Sequence, residues 1–417
     1  MSKIKKVFAR EILNSLGIPT VEATVVLEEG WTATSSVPSG VSISKHEAWE
    51  LRDGDEKRFS GQGVLKAVAN INDQISQRLV GFDPTKQTAV DQALIDLDAS
   101  QNKVNLGANA LLAVSQAVLK AGALVSRQPL YYYLKLKYGL AGEIKIPTPI
   151  FSLINGGLHG AGNLDFQEFQ IIPSSQKSYS QALAMGTEIY LKLKEVLVHR
   201  NAIHSLGDDG AFAPDLFTNA DALEIMVEAV KQSQYHLNED VFLGLDVAAA
   251  FFYQDGRYHI RDEARLLTAE EMLDYYQKLN RRYHLFYLED PLWEEDWQNW
   301  RRLQAEMGES TTLVGDDLLA TNPARIQRAI QEKACSAILV KPNQLGTVSE
   351  TVQVVKMARK AGWRVIISHR SGETNDDFIA DFSVGLASDY TKFGAPARGE
   401  RIAKYNRLWL IEAQLKS

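Results

Sequence analysis

The sequence predicts an α/β fold in which a small N-terminal α+β domain precedes a C-terminal β/α barrel. Three observations carry this expectation. The chain has 417 residues, more than one ordinary core holds, and enough for a barrel of about 250 residues plus a smaller unit. Its hydrophobic pattern changes after about residue 139, from strands followed by helices to strand and helix in alternation. In that second part a polar residue recurs just after each successive strand.

The elements follow in order. Residues 3–10, 20–28 and 32–37 are rich in Val, Ile and Thr and read as strands. Pro38, Ser39 and Gly40 break the pattern. Val64, Leu65, Val68, Ile71, Ile75 and Leu79 fall at helical spacing, and further helices are expected near 88–98 and 108–126. The Gly- and Pro-containing stretch 139–148 reads as a linker, which sets the domains at 1–138 and 139–417. Apolar runs at 149–154, 241–245, 285–288, 311–314, 337–340 and 364–367 are the expected barrel strands. Helical segments such as 294–306, 322–332, 347–361 and 376–387 separate most of them, and this alternation implies a parallel sheet.

Asp246, Glu289, Asp316, Lys341 and His369 each stand directly after one of these strands, and Lys392 follows a short segment later. The gaps between them are 43, 27, 25, 28 and 23 residues, each about one βα unit. In a closed barrel such positions share the face that carries the active site. The spacing therefore predicts that three carboxylates, two lysines and a histidine converge. Taken singly, each carboxylate could cap the following helix. In phase, they repel one another unless a cation lies between them. An all-oxygen ligand set favours Mg²⁺ over softer metals. A lysine beside a metal and a second lysine should have its ammonium form disfavoured, which would free Lys341 to act as a base. SHRSGET (368–374) offers Arg370, Ser371 and backbone N–H groups as a phosphate cradle. NGGLHGAGN (155–163), with Gln167 and Glu168 after it, and GDDGAFAP (207–214) read either as catalytic loops or as ordinary turns.

Composition excludes several classes. Hydrophobic residues are 45% and charged residues 23%, as in soluble globular proteins. A net charge of −7 argues against nucleic-acid binding through an overall field. The single cysteine, Cys335, allows no intrachain disulfide and no cysteine-rich zinc site. MSKIKKVFAREIL lacks the apolar core of a signal peptide, and no run of about 18 apolar residues is present. A cytoplasmic location, with no membrane span, is the expectation.

With these motifs in hand, the chain resembles the enolase family over essentially its full length. The matching runs are VPSG (37–40), NLGANALLAVSQAV (105–118), NGGLHGAGN with QEF (155–169), GDDGAFAP (207–214) and LDVAAA (245–250). They continue with LEDP (288–291), GDDLLATNP (315–323), LVKPNQLGT (339–347), SHRSGET (368–374) and FGAPARGERIAKYN (393–406). The resemblance implies dehydration of 2-phosphoglycerate to phosphoenolpyruvate with two Mg²⁺ per site. It implies Asp246, Glu289 and Asp316 as ligands of the first ion and Ser42 at the second. Lys341 would be the base, with Glu168 and Asp209 assisting loss of the C3 hydroxide. His159, Gln167, His369, Arg370, Ser371 and Lys392 would contact substrate. A homodimer or larger homo-oligomer is implied as well. The chain departs from the family pattern at Asp209, where the family has Glu, and at Ala211, where it has a second glycine. It also departs at Ser44, Leu16 and Ile18. Asp209 and Ile43 leave room for a relative that dehydrates a related phosphonate or carboxylate.

Overall fold

A computed structural model describes residues 2–41, 44–140, 142–160 and 164–416. The first three strands, β1 (Ile4–Leu13), β2 (Pro19–Leu27) and β3 (Thr32–Ser36), form an antiparallel meander. In β2 the period-two alternation buries Val21, Ala23, Val25 and Leu27. These residues share a core with the Ala108–Val125 helix, which is buried almost all round. By length and composition that helix could cross a membrane, contrary to the expectation from sequence, but 83% of it lies inside the molecule. Residues 65–79 are helical with a π turn at Ile71–Ile75. Leu65 turns out to solvent while Ala67 takes the inner face. Asn72 from this stretch accepts from the N–H of Ala9 and donates to its carbonyl (2.8 and 3.3 Å), closing an edge of β1 that would otherwise be free to pair.

The second part closes into an eight-stranded barrel. Its strands are β4 (Thr148–Asn155), β5 (Glu168–Pro173), β6 (Val241–Asp246), β7 (Leu285–Glu289), β8 (Thr312–Gly315), β9 (Ala337–Val340), β10 (Arg364–Ser368) and β11 (Tyr390–Lys392). Each pairs with the next, and β11 pairs with β4 to close the ring. Side chains including Ile150, Ile172, Tyr287, Val314, Leu339 and Ile366 fill the interior, so the barrel is a packed core with chemistry only at its end. A wholly parallel sheet was expected, and the structure corrects this. β5 runs antiparallel to both β4 and β6, because only a loop, with no crossover helix, joins β4 to β5.

Candidate active site

The C-terminal ends of the parallel strands surround a polar cleft lined by His159, Glu168, Asp246, Lys341, Arg370 and Lys392 among others. Register decides which side chains reach it. Because β5 is reversed, its first residue, Glu168, pairs with the last residue of β6, Asp246, which pairs in turn with Glu289 at the end of β7. Asp316 follows β8, Lys341 follows β9, His369 follows β10, and Lys392 ends β11 beside Ser368. The rim is thus divided. Strands β6 to β8 present carboxylates, while β10 and β11 present His369, Arg370, Ser371 and Lys392. Lys341 and Glu168 stand four strands apart in a ring of eight, on opposite sides of the mouth.

The carboxylates are not spent on capping. The helices Ala269–Tyr283, Trp297–Met307 and Pro323–Glu332 are capped by Thr268, Asp296 and Asn322. Asp246, Glu289 and Asp316 are all buried. Burial, and then repulsion from Asp246 and Asp316, pushes Glu289 well above the usual carboxylate range. Lys392 answers part of this charge. Its Nζ donates to Asp246 Oδ2 at 2.7 Å and to both oxygens of Glu289 at 2.9 Å, and it lies 3.4 Å from Glu168 Oε2. Lys341 donates to Asp316 Oδ2. The disfavoured ammonium was expected for lysines beside a metal ion; here each lysine pairs with carboxylates. Burial does pull each ammonium down, but the carboxylates in contact outweigh it and hold both lysines above the ordinary value.

Across the cleft lies a second cluster. Ligand atoms of His159, Glu168 and Asp209 come within 4.8 Å of one another. Glu168 Oε2 accepts from Ser152 Oγ (2.5 Å) and Gln170 Nε2 (2.9 Å), and Oε1 lies 3.4 Å from His159 Nδ1. Burial works against its ionisation, but Lys392 and His159 hold Glu168 well below the usual range. Burial likewise opposes the His159 imidazolium, but Glu168 raises it. Asp209 is pushed up by burial and by the Glu168 charge. It is fully buried and does not line the cleft; its Oδ1 accepts from the Ala211 N–H at 3.2 Å, and Oδ2 has no hydrogen-bond partner among the described residues. Gln167 donates to Asp246 Oδ2 at 3.2 Å.

Arg370 is a buried fork. Its Nη1 and Nη2 reach Glu47 Oε2 and Oε1 at 2.8 and 3.3 Å, and Nη1 reaches Asn343 Oδ1 at 3.3 Å. Gly40 is needed here, because a Cβ on it would stand 1.9 Å from Arg370 Nη2. Ser371 Oγ shares a hydrogen bond with His159 Nε2 at 3.1 Å. Three of the backbone donors expected in this segment are engaged within the fold. The N–H groups of His369, Arg370 and Gly372 already bond to the Lys392 carbonyl, Glu373 Oε1 and the Ser39 carbonyl. Ser42 lies outside the described residues, as do residues 161–163 of the His159 loop.

Two family models match the chain, one described as the enolase N-terminal domain over residues 4–134 and one as the enolase C-terminal TIM barrel domain over residues 143–417. The chain belongs to the enolase family. It is accordingly an enolase-superfamily lyase, and acidic groups able to hold a metal ion accompany that assignment.

The residues present in this enolase-family site fit a hard divalent cation. The donors on the acidic arc are all oxygen, and Asp316 Oδ1 is buried without a hydrogen-bond partner among the described residues. Among the described residues the tightest acidic group is Asp290, Asp316 and Asp317, within 4.8 Å. It is not the Asp246, Glu289 and Asp316 set, of which the first two accept from Lys392 and the third from Lys341. Asp290 is already engaged, accepting from the N–H groups of Asp316 (3.0 Å) and Asp317 (2.6 Å). Burial and the Asp316 charge push Asp317 up to about 7. Sequence reasoning overlooked Glu47, Asn343, Asp290, Asp317 and Arg401. Asp290, Asp317, Asn343 and Arg401 lie inside motifs already read, LEDP, GDDLLATNP, LVKPNQLGT and FGAPARGERIAKYN. Glu47 carried no signal, since nothing in HEAWE marks a glutamate that will be buried.

Proposed function

We propose that this lyase removes water from 2-phosphoglycerate to give phosphoenolpyruvate, reversibly, with Mg²⁺ as its cofactor. The observation that supports this most is the placement of Lys341 and the His159–Glu168–Asp209 cluster on opposite sides of one small cleft, with Arg370 and Ser371 between them on the rim. Such a layout suits an elimination in which a base takes the C2 proton from one face and an acid delivers a proton to the departing C3 hydroxide at the other.

Asp246, Glu289 and Asp316 would hold the first Mg²⁺, and Ser42 would assist a second. Bound there, the ions supply positive charge where the substrate carboxylate gains negative charge as its α-proton leaves. Arg370 and Ser371 bind the phosphate, while Lys392 adds charge on the carboxylate side. Lys341 needs a neutral amine to accept the proton, and Asp316 is what holds it as ammonium. Drawing Asp316 out of that ion pair therefore readies the base. On the far side, Asp209 and His159 stand beside Glu168, and both are raised from their ordinary values, the direction that favours a proton donor. A cytoplasmic homodimer or larger homo-oligomer is part of the same reading and rests on family resemblance.

One observation favours a second reading. Asp209 is recessed behind Glu168 and His159, which fits a relative acting on a related phosphonate or carboxylate. Ultraviolet absorbance of phosphoenolpyruvate, formed from 2-phosphoglycerate with and without Mg²⁺, separates the two. Mg²⁺-dependent turnover by the wild type that is lost on chelation and in Lys341→Ala is the expected result. No turnover with Mg²⁺ bound would overturn the assignment and favour the alternative substrate.

A further inference from the structure

Arg401, on the Gly399–Lys416 helix, is fully buried. Glu400 Oε1 lies 3.5 Å from its Nε, and neither of those atoms makes a hydrogen bond among the described residues. The other end of the guanidinium is fully used. Nη1 reaches His369 Nδ1 and the Arg370 carbonyl, both at 2.7 Å. Nη2 donates to the Ser371 carbonyl at 2.6 Å and the Asp208 carbonyl at 3.4 Å. One side chain thus ties together the phosphate-side loop, the loop that carries Asp209, and the ring of His369.

A guanidinium has only N–H donors and keeps its protons. The ring nitrogen facing Arg401 must therefore accept, and its proton must be on the other nitrogen. The ring cannot easily turn to escape this. Its backbone N–H is held by the Lys392 carbonyl at 2.9 Å, and Gly394 packs so closely that a Cβ there would stand 3.1 Å from His369 Cε1.

We propose that Arg401 is a positioning residue that locks His369 as the neutral Nε2–H tautomer, making it a fixed hydrogen-bond donor to substrate and removing it from proton transfer. The charged groups around the ring agree. Burial disfavours the imidazolium first, Arg401 next, and Lys392 and His159 add to this, while Glu168 opposes; the net direction is well below the ordinary histidine value. Proton delivery at this end of the cleft then falls to His159, Glu168 and Asp209.

The test is long-range ¹H–¹⁵N NMR of protein labelled at histidine, with His369→Gln used to assign the ring. In the wild type, Nδ1 should show an unprotonated shift and Nε2 a protonated one, unchanged from pH 6 to 8. In Arg401→Met the lock should fail, with both nitrogens exchanging and titrating near the ordinary value of about 6.5. Arg401→Lys should restore only part of the wild-type pattern, because an ammonium cannot span four acceptors. A wild-type Nδ1–H tautomer or an imidazolium would overturn the lock, and so would an Arg401→Met spectrum identical to wild type. Should Arg401→Met fail to fold, the wild-type tautomer alone decides. These readings need no substrate, so they stand apart from the proposed reaction. A kinetic arm rests on that reaction: Arg401→Met should add an ionisation near pH 6.5 to the kcat profile, and an unchanged profile would overturn the role assigned to His369.

Discussion

Arg370 shows how single residues divide the work of the site. Its fork is held from behind by Glu47 and Asn343, so its orientation is set before an anion arrives. A hydrogen bond to a charged group contributes about 1.5–3 kcal/mol. Arg370→Lys keeps the charge and loses the planar fork. It should therefore raise KM for the phosphate substrate by roughly ten- to a hundredfold, with a smaller effect on kcat; an unchanged KM in steady-state kinetics would remove Arg370 from phosphate binding. Asp209 is the opposite case. It touches the acid cluster and stays out of the cleft, so Asp209→Asn should lower kcat by about 10²-fold or more and leave KM nearly unchanged. A rise in KM with kcat intact would show instead that it shapes binding.

Elements carry these residues to their places, and the sequence showed most of them. The strands ending at Asp246, Glu289, Asp316, Lys341 and His369 were legible because each is a short apolar run between helices. β5 was not, since Glu168–Pro173 begins within a motif already read as catalytic. Its reversal has no local signature, yet it sets Glu168 beside Asp246. β11 is three residues long, too short for an alternation to register. The charge state of the lysines could not be read either, because it depends on which carboxylates reach Nζ in three dimensions. Stability at this scale is separable from chemistry. Thr268 caps the Ala269–Tyr283 helix in a reciprocal box with Glu271, and neither residue lines the cleft. Thr268→Ala should cost about 1 kcal/mol of unfolding free energy by urea titration with kinetics unchanged; a loss of activity at full stability would contradict that separation.

At the scale of the whole molecule, the N-terminal domain is joined to the barrel through buried polar contacts. Asp91 accepts from Gln87 Nε2, Ser115 Oγ and the Ser349 N–H, so one carboxyl links two helices of the first domain to the start of the Val348–Lys360 helix. Burial outweighs these bonds and raises Asp91 from 3.8 to about 6. The folded state thus holds this proton more tightly than the unfolded chain does. Its contribution is full below about pH 4 and is lost as pH rises through about 6, a swing of up to about 3 kcal/mol. Asp91→Asn should abolish that slope, so the unfolding free energy of wild type relative to the variant should fall between pH 4 and 7. A constant difference would contradict it.

The separation of base and acid across the ring is what the proposed reaction depends on, and exchange of the C2 proton of 2-phosphoglycerate with deuterated water in the presence of Mg²⁺ tests it most directly. Lys341→Ala should lose both exchange and turnover, while Glu168→Gln should keep exchange and lose turnover. Exchange that survives in Lys341→Ala, or that disappears in Glu168→Gln, would contradict the assignment of the two sides.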